Sequence, residues 1–141
     1  MQLFRILLYL FHFTSFLILA NQITVKNYDL GFNKTYYGNV SILCKNQGAC
    51  NMTKIYCDTG NCMIQAGGNN KGQLNNLIID ARNIQKGYKF ELKCGSSYQS
   101  TTTNCKNVKV LCPEHRGATC KCIYCNYKGV KFYCELGIGV Y

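Results

Sequence analysis

The chain has 141 residues and carries 16 lysines and arginines against 6 acidic residues, a formal net charge of +10, with 11 cysteines and 2 histidines. This length leaves room for one domain, and so few histidines exclude a multi-histidine metal site. The basic balance favours anionic partners such as acidic glycans, lipid headgroups or nucleic acid, although it predicts no specific nucleic-acid site. The alternative is that a solvated β surface uses lysine to stay soluble.

Residues 1–20 have the layout of a secretory signal peptide. One positive side chain, Arg5, precedes an apolar stretch that ends at the small residue Ala20. We expect cleavage after Ala20 and secretion of the remaining chain. The alternative is an uncleaved membrane anchor, because the apolar stretch from Leu3 to Ala20 is just long enough to span a bilayer.

The cysteines indicate a disulfide framework. All of them follow Ala20, and a short exported chain this rich in cysteine is typically held together by disulfide bonds. Three sequons, at Asn33, Asn39 and Asn51, predict N-glycosylation in the same compartment. Because the number of cysteines is odd, we expect one thiol to be free or to pair with another chain.

One pattern of alternating residues recurs along the chain. The stretches CNMTKIYC and CKNVKVLC share the same cysteine spacing, and LNNLIIDA and GVKFYCE fit the same positions. Alternation with a period of two and one apolar face predicts β-strands. The inward positions of a first series are Thr53, Ile55 and Cys57; Leu77, Ile79 and Ala81; Val108, Val110 and Cys112; and Val130, Phe132 and Cys134. Those of a second series are Val40, Ile42 and Cys44; Cys62, Ile64 and Ala66; Phe90, Leu92 and Cys94; and Cys120, Cys122 and Tyr124.

Repeats of this length predict a solenoid, in which each coil buries its apolar face against its neighbours. Two strands per coil, joined by loops whose Gly and Asn tolerate positive φ, fit an all-β fold. We expect a short right-handed parallel β-helix of about four coils, stapled by disulfides, over residues 40–141. Residues 21–39 are expected to form an N-terminal segment. The alternative is a compact, disulfide-rich antiparallel β domain built of hairpins.

A family resemblance supports the solenoid. The pattern C-x5-C-x6-C-x4-C, with strands ending in I-x-C or V-x-C, and the stretch NCKNVKVLCP in particular, occur here. They resemble the cysteine-rich right-handed β-helix repeats of large secreted or surface proteins of single-celled eukaryotes. The resemblance covers about residues 40 to 134. It implies an extracellular, pectin-lyase-like solenoid from a group whose activities are mostly unknown.

The cysteines fall into two quartets, each predicted to be closed within itself. The quartets are Cys44, Cys50, Cys57 and Cys62, and then Cys94, Cys105, Cys112 and Cys120. In the copy between them, all four positions change together, to Ala66, Leu74, Ala81 and Phe90. Of the connectivities that four cysteines allow, we expect the local ones that close each corner: Cys44–Cys50, Cys57–Cys62, Cys94–Cys105 and Cys112–Cys120. Cys122, Cys125 and Cys134 then remain, and we expect one further bond to Cys134 and one thiol left over.

The residues show no constellation that indicates an enzyme. His115 stands in a loop, and the acidic residues form no Asp-x-Asp element of the kind that glycan-cleaving β-helices use for acid–base chemistry or cation binding. The run CKCIYC has a spacing compatible with zinc, but an exported chain favours disulfides. We therefore predict a protein that is not an enzyme and that uses no cofactor or metal.

The outward positions of the first series predict a binding face. Stacked strands would place Lys54, Ile78, Lys109 and Lys131 in one column and Tyr56, Asp80, Leu111 and Tyr133 in the next. Lysine charge and tyrosine stacking suit a sugar ring or an acidic polymer. The candidate contacts are Lys54, Tyr56, Lys109, Lys131 and Tyr133. The alternative is an ordinary solvated strand face.

Two hypotheses of function follow from these features. The first is a secreted, non-catalytic solenoid that is structural or adhesive, or that binds anionic or glycan surfaces. The second is a cationic secreted effector or defence protein that acts on membranes or anionic polymers. The terminal stretch GVKFYCELGIGVY is apolar and carries no obvious polar cap, which predicts self-association through the C-terminal edge.

Overall fold

The computed structural model describes residues 21–25, 33–67, 72–95, 103–125 and 129–134, the first of these ranges as backbone only. The predicted signal peptide and residues 135–141 lie outside the described residues. Eight strands are present: β1 (Asn21–Val25), β2 (Asn33–Cys44), β3 (Lys54–Ala66), β4 (Ile78–Asp80), β5 (Lys89–Lys93), β6 (Val108–Leu111), β7 (Thr119–Ile123) and β8 (Val130–Tyr133). The described part of the chain is therefore all-β.

Every strand pairing among the described residues is parallel. The long strands β2 and β3 pair along two stretches, and the shorter strands continue one stretch or the other, so the curled sheet has two rows. The first row consists of residues 33–38 and 54–59, β4, β6 and β8, and the second of β1, residues 40–44 and 62–66, β5 and β7. The alternative of antiparallel hairpins is wrong for these strands.

The sheet crosses the boundary that the sequence placed at residue 40. Strand β1 pairs with residues 40–44 of β2, and residues 33–38 of β2 pair with β3. Part of the predicted N-terminal segment thus contributes strands to the same sheet as the cysteine-rich region.

The register of both rows confirms the predicted alternation of inward residues except at Tyr124, which follows β7 with a φ of 52° and is not a strand residue. Ile55, Ile79, Val110 and Phe132 are successive partners in the first row, and Ile42, Ile64, Leu92 and Cys122 in the second. Six of these eight side chains are at most 2% exposed, and Phe132 and Cys122 pack partly buried against them. Since full burial of such a side chain contributes about 1.5–3 kcal/mol, stacking of the strands accounts for the stability of the core.

One corner between the rows lies inside continuous strands, where the sequence predicted a separate loop. The β2–β3 register shifts between Gly38 and Val40, and β3 runs without a break through the stretch DTGN. A Cβ atom added to Gly60 would lie 2.3 Å from the Gly38 carbonyl carbon. Because no side chain tolerates such a contact, glycine at position 60 is what lets the two backbones approach.

The other corner is built from left-handed residues that recur in each copy. Cys50, Leu74 and Cys105 occupy equivalent positions and have φ values of 59°, 60° and 58°. Met52, Asn76 and Asn107, two residues further on, have φ between 54° and 56°. The expectation that Gly and Asn would supply positive φ is therefore only partly met, since bulkier residues are held in this costly conformation by their surroundings.

An asparagine ladder supports this corner. The Asn75 backbone N–H donates to the Asn51 Oδ1 at 2.7 Å, and the Lys106 N–H donates to the Asn75 Oδ1 at 2.8 Å. A second ladder spans the opposite corner, where the Asn61 N–H donates to the Asn39 Oδ1 and the Lys89 N–H to the Asn61 Oδ1, each at 2.9 Å. Each bond satisfies a backbone donor that the parallel pairing leaves unpaired, which stabilises the turn.

The ladders bear on the predicted glycosylation sites. Asn33 is exposed at the start of β2, whereas Asn39 and Asn51 are half-buried and accept backbone hydrogen bonds through their amide oxygens. Glycosylation at all three remains a prediction. Of the three side chains, Asn33 is the most accessible in the folded protein.

Three predicted disulfides are confirmed. Cys44–Cys50, Cys57–Cys62 and Cys94–Cys105 each join cysteines within one quartet. Each bond spans a short stretch of chain at a corner, and a loop of this size contributes on the order of 2–3 kcal/mol by restricting the unfolded chain. Local clasps therefore hold the corners of the sheet.

The predicted pairing of the remaining cysteines is wrong. Cys112 bonds to Cys134 instead of Cys120, Cys122 bonds to Cys125, and Cys120 is the free cysteine. Leu111 and Tyr133 are register partners, and the Cys112 N–H donates to the Tyr133 carbonyl at 3.0 Å, so Cys134, the residue after β8, lies directly beside Cys112. The expectation of one leftover thiol holds, but the thiol belongs to Cys120.

The disulfides also bear on the compartment. Five disulfide bonds are typical of an extracellular or secreted protein, because reducing compartments do not maintain them. Within the described ranges, no helix has the length and apolarity needed to cross a membrane.

Candidate binding face

The outward side chains of the first row form the columns that the sequence predicted. Lys54, Ile78, Lys109 and Lys131 are successive register partners, as are Tyr56, Asp80, Leu111 and Tyr133. We call these eight residues the outward face. Adjacent members of a column are separated by the strand spacing of about 4.8 Å, so one elongated ligand can contact several of them.

Lys109 and Lys131 carry the charge of the outward face. Both are exposed, and they are direct partners on β6 and β8. Neither forms an ion pair with any residue that the structure describes. Like charges on adjacent strands repel each other, so an anion placed between the two ammonium groups lowers their free energy.

The two candidate tyrosines differ in accessibility. The Lys54 ammonium lies 4.8 Å from the centroid of the Tyr56 ring, a cation–π contact that covers one face of that ring. Tyr133, in contrast, is 50% exposed. Tyr133 is therefore the better stacking surface, and Lys54 and Tyr56 form a pair of their own at the other end of the face.

Asp80 is drawn into the protein by an arginine that sequence reasoning missed. The Arg82 Nε and Nη2 groups donate to the two Asp80 carboxylate oxygens at 2.9 and 2.7 Å, and the Arg82 backbone N–H donates at 3.3 Å. Asp80 is only 8% exposed. The hydrogen bonds from Arg82 hold the pKa of the Asp80 carboxyl below its ordinary value, against the opposing effect of burial.

Beside this ion pair lies a cavity of about 340 Å³. Its polar lining comes from Thr35, Tyr56, Asp58, Asp80, Arg82 and Asn83. Hydroxyl, carboxylate, guanidinium and amide groups together supply donors and acceptors of the kind that hold a polyol. The register of Tyr56 with Asp80 was visible in the sequence alignment, whereas the approach of Asn83 depends on the turn after β4 and was not.

We expect the Asp80–Arg82 pair to make the free energy of unfolding decrease at acidic pH. Because the folded pKa of Asp80 is lowered, its contribution is fully present above the unfolded value of about 4 and is lost as the pH falls through the folded pKa. Asp80→Asn should lower the free energy of unfolding by about 1–2 kcal/mol near neutral pH. Urea unfolding should be measured at several pH values. Below pH 4, the free energy of unfolding should fall less steeply with pH in Asp80→Asn than in the unmodified chain. An equal pH dependence in the two proteins would contradict a stabilising role of the ionised Asp80.

Comparisons with protein-family models, with curated proteins and with solved structures give no match for this chain. The function must therefore be inferred from the outward face, the cavity beside it and the disulfide framework. The resemblance to pectin-lyase-like repeat proteins stays a prediction.

Proposed function

We propose that this protein is a secreted, non-catalytic β-solenoid whose outward face binds an acidic glycan on a surface. The observation that carries the proposal is the direct pairing of Lys109 with Lys131, next to the exposed ring of Tyr133. The charged pair attracts carboxylate or sulfate groups, and the ring supplies an apolar platform for the sugar.

The proposed solenoid is a right-handed β-helix of about four coils. Its support is the two-row arrangement, in which each row gains a parallel strand from each successive stretch of chain. Crossovers between parallel strands of one sheet are almost always right-handed, which favours this hand. This order of parallel strands is also the one expected from the resemblance to secreted cysteine-rich β-helix repeats.

The cavity beside Asp80 extends the proposed site. An acidic glycan that lies along the lysines places a neighbouring sugar near the cavity, where Asn83, Thr35 and the Arg82–Asp80 pair offer hydrogen bonds to hydroxyl groups. Because Arg82 already neutralises Asp80, that carboxylate does not strongly repel the ligand. Charge would then provide affinity, and hydrogen bonding would select the sugar.

The two carboxylates of the cavity differ in the roles open to them. Two carboxylic residues, Asp58 and Asp80, line it, and glycoside hydrolysis uses such a pair with one member protonated. The pKa of Asp80 is lowered by Arg82, so Asp80 is ionised near neutral pH and cannot serve as the acid. Asp80 is therefore not the general acid of such a pair.

The proposal is tested by separating glycan binding from membrane activity. Binding to polygalacturonate and to uncharged dextran should be measured by calorimetry, with dye leakage from vesicles of phosphatidylglycerol and phosphatidylcholine in parallel. We expect binding to polygalacturonate that weakens as salt is raised, little binding to dextran, no shortening of the polymer and no leakage. Leakage would favour the cationic effector, and polymer cleavage would favour an enzyme. Equal binding to dextran would show that the lysine charges do not determine binding.

A further inference from the structure

Three cysteine sulfurs, from Cys112 after β6, Cys120 on β7 and Cys134 after β8, lie close together between the two rows. Cys112, Cys120 and Cys134 have Sγ atoms that all lie within 4.8 Å of one another. Cys112 and Cys134 are joined by a disulfide, and Cys120 carries the free thiol. Cys112 and Cys120 are buried, at 2% and 0% exposed, while Cys134 is half-buried. We call these three residues the sulfur triad.

A thiol within 4.8 Å of a disulfide has an available reaction, which is thiol–disulfide exchange. We propose that Cys120 exchanges into the Cys112–Cys134 disulfide, so that the reactive thiol of the folded protein is Cys134, which then forms a mixed disulfide with a low-molecular-weight disulfide from solvent. The proposal assigns Cys134 as a modification site, although Cys120 is the cysteine left without a bond.

The exchange conserves atoms and electrons. The Cys120 thiolate attacks the Cys112 Sγ, the Cys112–Cys120 bond forms, and the Cys112–Cys134 bond breaks with Cys134 leaving as the thiolate. The proton lost by Cys120 passes to solvent, and no group is oxidised or reduced overall. In the second step the Cys134 thiolate attacks the small disulfide, forms one new S–S bond and releases one small thiolate.

Burial sets the direction of the exchange. Desolvation raises the pKa of the Cys120 thiol to about 12, so only a small fraction of Cys120 is the attacking thiolate, and negative charge is less stable on Cys120 than on a solvated sulfur. Cys134 is half-buried, where water solvates the departing thiolate better. Attack on Cys112 therefore moves the thiol from the least accessible member of the triad to the most accessible one, while attack on Cys134 would leave a thiolate on buried Cys112.

The product has a precedent in the same chain. A Cys112–Cys120 bond is the equivalent of Cys57–Cys62, which closes the corresponding corner of an earlier copy. The exchange thus replaces a bond between neighbouring strands of the first row by a clasp that the fold already uses elsewhere.

A second group of sulfurs provides an internal control. Cys94, Cys122 and Cys125 are also clustered, with the Cys94 and Cys125 sulfurs 3.4 Å apart. All three are bonded, in Cys94–Cys105 and Cys122–Cys125, so this group contains no attacking thiol. We expect its pairing to stay unchanged under conditions in which the sulfur triad rearranges.

The test is a disulfide map of the folded protein after incubation with glutathione disulfide, acid quenching and unreduced digestion. We expect glutathione on Cys134 together with a Cys112–Cys120 bond in the same molecules. Glutathione on Cys120 with Cys112–Cys134 intact would overturn the proposal. An adduct that forms only after denaturation would overturn it as well.

Two variants separate exchange from direct labelling. In Cys120→Ser the attacking thiol is absent, so we expect Cys112–Cys134 to persist and no adduct to form on Cys134; an adduct there would contradict the relay. In Cys134→Ser we expect a Cys112–Cys120 bond and no reactive thiol. Two free thiols in a folded Cys134→Ser protein would show that these sulfurs cannot bond and would overturn the proposal.

Discussion

Replacing Gly60 with alanine is expected to destabilise the protein by about 3 kcal/mol or more. The added Cβ would lie 2.3 Å from the Gly38 carbonyl carbon, 2.5 Å from its oxygen and 2.7 Å from the Asn39 nitrogen. All three are backbone atoms, so relief requires β2 and β3 to separate where their register shifts. Urea unfolding followed by circular dichroism measures the loss.

Gly87→Ala is the matched control for this prediction. Gly87 has a φ of +86°, but a Cβ there would meet nothing within 4 Å. We expect the control to cost about 1 kcal/mol, the conformational penalty alone. Equal losses in the two variants would show that β2 and β3 do not approach each other closely at Gly60.

Reversing the charge of both lysines in the double variant Lys109→Glu/Lys131→Glu is expected to weaken polygalacturonate binding by about 30-fold or more, equivalent to about 2 kcal/mol. The two side chains are exposed partners on β6 and β8, so the change turns an attractive pair into a repulsive one without disturbing the core. Calorimetric titration at low salt measures the loss.

The control carries the same change of net charge elsewhere. Lys86 and Lys121 are exposed but lie outside the outward face, in a turn and on β7. Lys86→Glu/Lys121→Glu should weaken binding by only about threefold, through the lower net charge. If both double variants lose affinity equally, binding depends on total charge and not on the outward face.

The two rows of strands were predictable from the sequence because burial imposes a period of two. Ile55, Ile79 and Val110 were aligned by their spacing from cysteines or by the match of LNNLIIDA, and they are register partners. The outward residues between them were fixed by the same alternation. Three of the corner disulfides followed as well, since each joins cysteines that bracket a short turn.

The remaining disulfides were not predictable from spacing. The choice between Cys120 and Cys134 as the partner of Cys112 depends on three sulfurs that lie within 4.8 Å of one another. Sequence distance favours Cys120, whereas the strand register places Cys134 beside Cys112. The alternation already placed Cys112 and Cys134 at equivalent positions of successive strands, and the strand register, not the distance along the sequence, decides between the partners in reach.

The cavity was missed for a related reason. Alternation placed Asp80 on the outward face, but the bidentate contact with Arg82 draws its carboxylate inward to 8% exposure. Arg82 follows the end of β4 in a turn, where the period of two no longer applies. A carboxylate and an arginine two residues apart at a strand end were the only signal for this pair in the sequence.

The most direct test of the proposed binding face is an NMR titration of the isotope-labelled protein with an oligogalacturonate. We expect amide shift changes concentrated on β6 and β8, with the largest effects at Lys109, Lys131 and Tyr133, and smaller changes around the Asp80 cavity. Shift changes centred on the second row, for example near Lys121 on β7, would contradict the account, as would the absence of any change at saturating oligosaccharide.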